Sequence, residues 1–243
     1  MKLFSKALGA MALVAALVAP AAHAADDVIR VATDATFPPL EFVQDGKRTG
    51  FDIELIEALA KVMGKKVQWV DIDFKGLIPG LIANRFDVAA SAIYITDERL
   101  KVINFTDSYY PGGLVIMTKT GNSAIKGPDD LAGKKVTVQV GTKSVGFLKD
   151  KYPNIERIEV EKNQEMFELV ESGRADAAVT GKPAAKVYVK ARGTLQVVEP
   201  SLTIEEYGFA LRKDEGELIK QFNAALKTLK ADGTYDKLVA KYL

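Results

Sequence analysis

The sequence lacks cysteine altogether and contains a single histidine, His23, among its 243 residues. Without cysteine, the chain can form no disulfide, no thiol nucleophile and no cysteine-ligated metal site. His23 falls in a segment that we expect to be removed from the mature protein. A Ser-His-Asp triad and a histidine-ligated zinc or copper site are then excluded too. We therefore predict no metal and no cofactor, and carboxylates are the remaining candidates for acid–base chemistry.

An excess of either charge is also missing, because 33 Lys and Arg face 32 Asp and Glu. Nucleic acids and anionic membrane surfaces both select proteins with a basic excess. We therefore expect neither nucleic acid nor a membrane surface as a partner. A small molecule is the expected ligand.

The one long apolar run lies at the N-terminus, where residues 1–24 have the pattern of an export signal. Lys2 and Lys6 precede apolar residues from Ala7 to Val18, and Ala22-His23-Ala24 is a small-residue cleavage site. The run is too short to span a bilayer. We expect cleavage after Ala24, which leaves a near-neutral, soluble and monomeric protein in the periplasm.

Predicted strands and helices alternate along the rest of the chain, which is typical of α/β proteins. Strands are predicted at Val28–Thr33, Lys66–Ile72, Asp87–Ala92, Val136–Val140, Arg157–Val160, Ala175–Thr180 and Phe209–Arg212. Helices are predicted at Asp52–Met63, Leu77–Arg85, Ser144–Lys151, Gln164–Ser172 and Glu217–Tyr242, the last interrupted at Asp232-Gly233. This order indicates two α/β lobes, each a mostly parallel sheet with helices on both faces, and a ligand between the lobes.

Ligands of open α/β sheets bind at the carboxyl ends of the strands, and two polar clusters fall there in the first lobe. Asp34 can accept a hydrogen bond from a ligand ammonium or amide, or it can cap a turn; Phe37 offers an apolar face. Arg99 lies in the first turn of a short predicted helix, where a cation opposes the helix dipole and needs an anion. That anion is either a ligand carboxylate or the nearby Asp97 or Asp107.

Two further clusters follow predicted strands of the second lobe. Gly141-Thr142-Lys143-Ser144 leads into a helix whose free amides suit a carboxylate or phosphate, although it lacks the glycine spacing of a P-loop. In Thr180-Gly181-Lys182-Pro183, Lys182 either clamps an anion or points into solvent. Phe74 lies in a predicted loop and is either a core residue or a ligand contact.

Six segments match one protein family in the right order, namely Val31–Phe37, Gly50–Ile53, Ile95–Arg99, Phe105–Tyr110, Gly173–Ala177 and Leu229–Tyr235. The chain thereby resembles the polar amino-acid-binding proteins of ABC importers, and within them the glutamine-binding proteins most. The resemblance implies a type II periplasmic binding fold. Lobe one would comprise Ala25–Tyr110 plus Tyr207–Leu243, and lobe two Leu114–Leu202, with hinge strands near 111–113 and 203–206.

The resemblance also implies a ligand-binding set, consisting of Asp34, Phe37, Phe74, Ala92, Tyr94, Arg99, Gln139, Thr142, Thr180 and Gly181. Arg99, the Thr142 hydroxyl and amides near Ala92 would hold the α-carboxylate of the ligand. Phe37 and Phe74 would sandwich the ligand's carbon chain, and Asp34 would read its side chain.

Three positions depart from the family pattern. Tyr94 stands where Thr or Ser is usual, and Gln139 replaces a lysine. Gly181 stands where an aspartate usually clamps the α-ammonium, and a buried ammonium without a carboxylate costs several kcal/mol. Either Asp34 or another acid takes the amine, or the ligand is not an ordinary α-amino acid. If only the clamp is missing, Gly181→Asp should strengthen the binding of an amino acid.

The expected function is that of a periplasmic solute-binding protein, not an enzyme, which delivers a polar amino acid to an inner-membrane ABC permease. Glutamine is the first ligand to test. One alternative is an enzyme similar to cyclohexadienyl dehydratase, with Asp34 as an acid of raised pKa. Another is a protein that binds an organic acid without an α-amino group. The sequence does not separate transport from sensing.

Overall fold

A computed structural model describes residues 27–243, so the predicted export signal lies outside the described residues. The strands are β1 (Val28–Thr33), β2 (Thr36–Phe37), β3 (Glu41–Gln44), β4 (Lys47–Thr49), β5 (Lys66–Asp71), β6 (Val88–Ala89), β7 (Asn104–Phe105), β8 (Tyr110–Pro111), β9 (Leu114–Lys119), β10 (Lys135–Gln139), β11 (Glu156–Val160), β12 (Ala177–Gly181), β13 (Leu195–Val198), β14 (Glu206–Tyr207) and β15 (Ala210–Leu211). The helices are α1 (Phe51–Val62), α2 (Phe74–Ile82), α3 (Asp97–Leu100), α4 (Lys143–Lys151), α5 (Asn163–Glu171), α6 (Lys182–Arg192), α7 (Gly216–Ala231) and α8 (Thr234–Tyr242), with a 3-10 turn at Pro128–Leu131.

The first sheet has the strand order β5-β1-β6-β15-β7. β1 pairs in parallel with β5 and β6, whereas β15 pairs antiparallel with β6 and β7, so β15 alone runs against the rest. Successive residues of a strand face opposite sides of the sheet. Val31 accordingly packs in the core that contains Leu55 of α1 and Phe222 of α7, and Ala32 packs in the core that contains Leu77 of α2.

The second sheet repeats this plan with the order β11-β10-β12-β9-β13. Here β9 is the reversed strand, antiparallel to both β12 and β13. On β12, Val179 packs in the core that contains Leu148 of α4, while Ala178 packs in the core that contains Phe167 of α5. The predicted α/β class is confirmed, with two mostly parallel sheets that each have helices on both faces.

Two short strands carry the chain between the sheets. β8 precedes β9 on the way into the second sheet, β14 precedes β15 on the way back, and the two strands pair antiparallel. Gly113 has a φ of 107°, and a Cβ there would lie 2.4 Å from the carbonyl oxygen of Thr203. The crossing therefore requires glycine at this position. The lobe boundaries, in the sense of which segments move together, stay a prediction.

Two local expectations were wrong. Phe74 does not lie in a loop but is the first residue of α2, where Asp73 is the N-cap. The strand expected at Asp87–Ala92 is regular only at Val88–Ala89, after which Ala92 takes a positive φ of 47° and turns the chain towards α3. Within residues 27–243, no helix combines the length and the apolar character that a membrane crossing requires.

Candidate functional site

One cavity between the two sheets is lined by all ten residues of the predicted ligand-binding set. These residues are Asp34, Phe37, Phe74, Ala92, Tyr94, Arg99, Gln139, Thr142, Thr180 and Gly181. The empty space inside this cavity, including the part open to solvent, is about 470 Å³. Asp34, Gln139 and Gly181 show why the residues meet, because each follows or ends a strand of one of the two sheets. Whether they bind ligand stays a prediction.

Arg99 brings a cation to this cavity without a carboxylate partner. Its guanidinium donates to the carbonyl oxygens of Tyr94 at 2.9 Å and Gly141 at 3.5 Å, and it lies over the Phe74 ring. Among residues 27–243, neither Asp97 nor Asp107 forms an ion pair with it. Burial lowers the pKa of Arg99 to about 10, although Glu98 acts in the other direction. The cavity therefore offers a positive charge with which an anion could pair.

The N-terminus of α4 lies beside Arg99 and completes an anion-binding corner. The side chain of Thr142, the N-cap residue, donates to the carbonyl oxygen of Gln139 at 2.7 Å and does not cap the helix. Ser144 in the first turn is buried and lines the cavity. Amides at a helix start favour a carboxylate, and Arg99 adds a full positive charge next to them.

Asp34 is buried and already accepts four hydrogen bonds, so it differs from the free acceptor that the sequence suggested. Oδ1 accepts from Thr36 Oγ1 at 2.8 Å and from Lys162 Nζ at 3.0 Å. Oδ2 accepts from the Phe74 amide and from Gln139 Nε2, both at 3.1 Å. A carboxylate offers about four acceptor sites, so none remains for a ligand amine.

Lys162 was missed in the sequence, although it lies just after the predicted strand that became β11, separated from it only by Glu161. It is the second-lobe cation that reaches across the cleft, and it also pairs with Asp73 at 2.7 Å. The rule that placed the other candidates at strand ends applies to it equally. Lys182, in contrast, pairs with Glu199 at 2.9 Å and does not line the cavity, so it clamps no ligand there.

Two tyrosines occupy the space next to Gly181. The rings of Tyr94 and Tyr207 stack at 4.6 Å, and the Tyr94 hydroxyl donates to the Gly113 carbonyl oxygen at 2.9 Å. A Cβ on Gly181 would lie 2.5 Å from the Tyr207 hydroxyl oxygen and 3.2 Å from that of Tyr94. Burial raises the pKa of Tyr94 to about 12, so this wall is neutral. The aspartate expected at this position in relatives has no room here.

Glu41 is the other acid in the cavity, and the sequence did not single it out. It is 1% exposed, and its Oε1 accepts from Ser91 Oγ at 3.0 Å. Behind it lies Asp52, whose Oδ2 accepts from the Ala92 amide at 2.8 Å and from Tyr109 Oη at 2.7 Å. The Ala92 amide is therefore already used, contrary to its expected role in holding a ligand carboxylate.

The carboxyl groups of Glu41 and Asp52 act on each other. Glu41 Oε2 and Asp52 Oδ1 are buried and receive no N–H or hydroxyl donor within the described part of the chain. Burial, together with the charge of Asp52, raises the pKa of Glu41 well above its ordinary value. Burial also raises the pKa of Asp52 to about 7. A raised pKa at both buried carboxyls favours the state in which one of the two is protonated.

The comparison with known families gives a clear assignment. Residues 29–243 match the family model of the bacterial extracellular solute-binding proteins, family 3. The chain belongs to this family. Solved structures also resemble the fold of this family 3 protein, with TM-scores of up to 0.85 among those compared below.

Three relatives illustrate the range of ligands. The ABC transporter arginine-binding protein 1 of Escherichia coli (strain K12) is 31% identical over 88% of this chain and 90% of its own length. An ancestral arginine-binding protein, solved with arginine and with glutamine, is 40% identical (TM-score 0.85; 89% and 98% coverage). The ancestral amino acid-binding protein AncCDT-1, a precursor of cyclohexadienyl dehydratase, is 42% identical (TM-score 0.84; 89% and 96% coverage). Glutamine is thus not singled out among amino acids.

The contact between Gly181 and Tyr207 generates a prediction about stability. Gly181→Ala places a Cβ against the Tyr207 hydroxyl, so we expect the free energy of unfolding to fall by about 1–3 kcal/mol in urea denaturation. Tyr207→Phe in the same chain removes the oxygen and should recover part of that loss. Gly181→Asp should likewise destabilise the protein and gain no affinity for amino acids.

Gly146→Ala is the matched control, since a Cβ at that helical position meets nothing within 4 Å. It should be neutral or slightly stabilising. If Gly181→Ala unfolds at the same urea concentration as Gly146→Ala, the tyrosine wall is not a constraint on this position.

Proposed function

We propose that this family 3 protein is a periplasmic solute-binding protein that encloses one polar amino acid between its lobes and delivers it to an ABC permease. The observation that carries the proposal is Arg99, a cation in the interlobe cavity whose only described polar partners are carbonyl oxygens. A ligand carboxylate would complete it with a charge-assisted pair, next to the first turn of α4. The relatives named above support an amino acid as the ligand class.

Closure would follow from contacts on both sides of the cleft. Arg99 donates to Tyr94 O in the first lobe and lies next to Gly141 and Thr142 in the second. A carboxylate held there touches both lobes at once. Only a ligand with such a difference in contacts can favour the closed state over the open one. The permease would then recognise the closed form, and glutamine remains the first ligand to test.

Calorimetric titration tests this proposal directly. Protein that has been unfolded and refolded to remove bound ligand is titrated with the twenty amino acids and a set of small carboxylates. We expect one or a few polar amino acids to bind. If no amino acid binds but an amine-free carboxylate does, the result favours the organic-acid alternative. Gly181 is the observation that motivates this alternative.

Arg99→Ala should weaken the binding of that amino acid by at least about 100-fold, because the ligand carboxylate loses its charged partner in a desolvated site. The matched control is Arg174→Ala, because the Arg174 side chain is exposed, lies outside the cavity and donates to Ser172 Oγ. That variant should bind normally. Unchanged affinity in Arg99→Ala, with the fold intact by circular dichroism, would contradict the assignment of the carboxylate site.

The Lys162 bridge yields a second prediction about function. Lys162 joins the second lobe to Asp34, which is buried, and to Asp73. Lys162→Met should shift the unliganded protein towards open forms, measured as a larger radius of gyration in small-angle scattering, and weaken ligand binding several-fold. Lys75→Met is the control, because the Lys75–Glu161 pair is half exposed and exposed pairs contribute little. Equal behaviour of both variants would contradict this role of Lys162.

A second candidate function is an enzyme similar to cyclohexadienyl dehydratase, and Glu41 is the observation that favours it. Such an enzyme needs a protonated carboxyl group in the cleft. Asp34 does not fit that role, since Lys162 and three other donors hold its oxygens. Glu41 does fit, because burial keeps its pKa high. Turnover of prephenate or arogenate by the purified wild-type protein would establish this candidate, and its absence would remove it.

A further inference from the structure

Two carboxyl groups line the cavity, Asp34 and Glu41, and their surroundings differ sharply. The four acceptor sites of Asp34 are occupied by Thr36, Phe74, Gln139 and Lys162. Lys162 also neutralises the charge of Asp34. A ligand ammonium would have to displace these donors before Asp34 could accept from it. Asp34 is therefore poorly placed to hold a cationic group of the ligand.

Glu41 has the opposite surroundings. Its one described donor is Ser91 Oγ, and its second oxygen receives no N–H or hydroxyl donor from the rest of residues 27–243. No basic side chain is among the groups that act on its charge; these are Asp52 on α1, Ser91 after β6 and Asp34 after β1. The hydroxyl groups of Tyr109 and Tyr207 face the same pair. Glu41 is thus a buried acid that lacks a cation.

We propose that Glu41 accepts the cationic group of the bound ligand and that the proton it shares with Asp52 leaves to solvent when that cation binds. The inference rests on the proposed function and names the group that replaces the missing acid at Gly181. Asp52 would act as a positioning residue. It holds the Ala92 amide and Tyr109 and, through the shared proton, keeps the empty cavity from carrying two buried anions.

The exchange of charges is balanced. Before binding, Glu41 is neutral and donates its proton towards Asp52. On binding, the positive ligand group takes the place of the proton next to Glu41, and one proton passes to the buffer. A buried carboxylate beside a cation is ionised more easily than one beside another carboxylate, so the ligand lowers the pKa of Glu41. Binding of a cationic ligand should therefore tighten as the pH rises through neutrality, while binding of an amine-free carboxylate should not.

The experiment uses two isosteric variants of the full chain. Glu41→Gln keeps a donor towards Asp52 but removes the acid, so amino-acid affinity should fall by at least about 30-fold and proton release should vanish. Asp52→Asn supplies an N–H donor to Glu41 and removes the neighbouring charge that raises the pKa of Glu41. It should retain or improve the affinity and release fewer protons. Asp34→Asn is the competing variant and should affect affinity less than Glu41→Gln.

The probes are L-glutamine, L-arginine and whichever other amino acid gives heat in the titrations above, each with wild type and variants at pH 6, 7 and 8. Titrations in buffers of different ionisation enthalpy give the number of protons released, which a purely structural role of Glu41 would not change. Up to one proton per ligand is expected for wild type.

Each outcome decides the question. Normal amino-acid affinity in Glu41→Gln, or a larger loss in Asp34→Asn, would overturn this inference and leave the transport proposal standing. Binding of amine-free carboxylates alone would overturn it too, since such ligands bring no cation. Failure of every probe, together with an unaffected Arg99→Ala, would overturn the proposed function itself. If Glu41→Gln fails to fold, the pH profile and proton release of Asp52→Asn still decide.

Discussion

Asp34 is a buried carboxylate whose hydrogen bonds come from both lobes, and the arrangement of the cleft depends on it. Thr36 and the Phe74 amide supply donors from the first lobe, while Gln139 and Lys162 supply donors from the second. A buried carboxylate is stable only when its oxygens are satisfied and its charge is compensated. Closing the lobes satisfies Asp34, and opening them would return its charge to water. The same residue that the sequence suggested as a ligand contact therefore also links the two lobes.

The charges left over in the cavity form a complementary pair. Within the described residues, Arg99 is a cation with carbonyl partners only, and Glu41 is an acid with neither a cation nor a full set of donors. A zwitterion would complete both, with its carboxylate at Arg99 and α4 and its cationic group at Glu41. The protein would then lower the electrostatic cost of its own empty state by storing a proton between Glu41 and Asp52.

In this view, the selectivity of the cavity depends on which side chains form its wall next to Gly181. Where the family resemblance predicts an aspartate, Gly181 leaves room for the hydroxyl groups of Tyr94 and Tyr207, two tyrosines whose rings stack on each other. Tyr94 also bonds the carbonyl oxygen of Gly113, at the crossing between the sheets. A change at Gly181 would therefore disturb both the ligand cavity and the connection on which closure turns.

The sequence by itself determined the class of fold and the strand ends at which the cavity lies. These follow from local periodicity and from the chain order of strands and helices, which is why Asp34, Arg99, Thr142 and Gly181 were placed at one site. Phe74 shows the limit of local reasoning, because the start of α2 there depends on packing as well as propensity.

Only the tertiary structure shows which partners those residues contact. Lys162 bonds Asp34 and Tyr207 fills the space at Gly181, and both contacts join segments far apart in the chain. Glu41 and Asp52 are closer in sequence, but they meet only because β3 packs against α1. Hydrogen-bond saturation, steric exclusion and the sharing of a proton all depend on distances of a few ångströms. The spacing and composition of one sequence do not give such distances. The sequence therefore shows which residue types are present near the site, but not which residue each of them contacts.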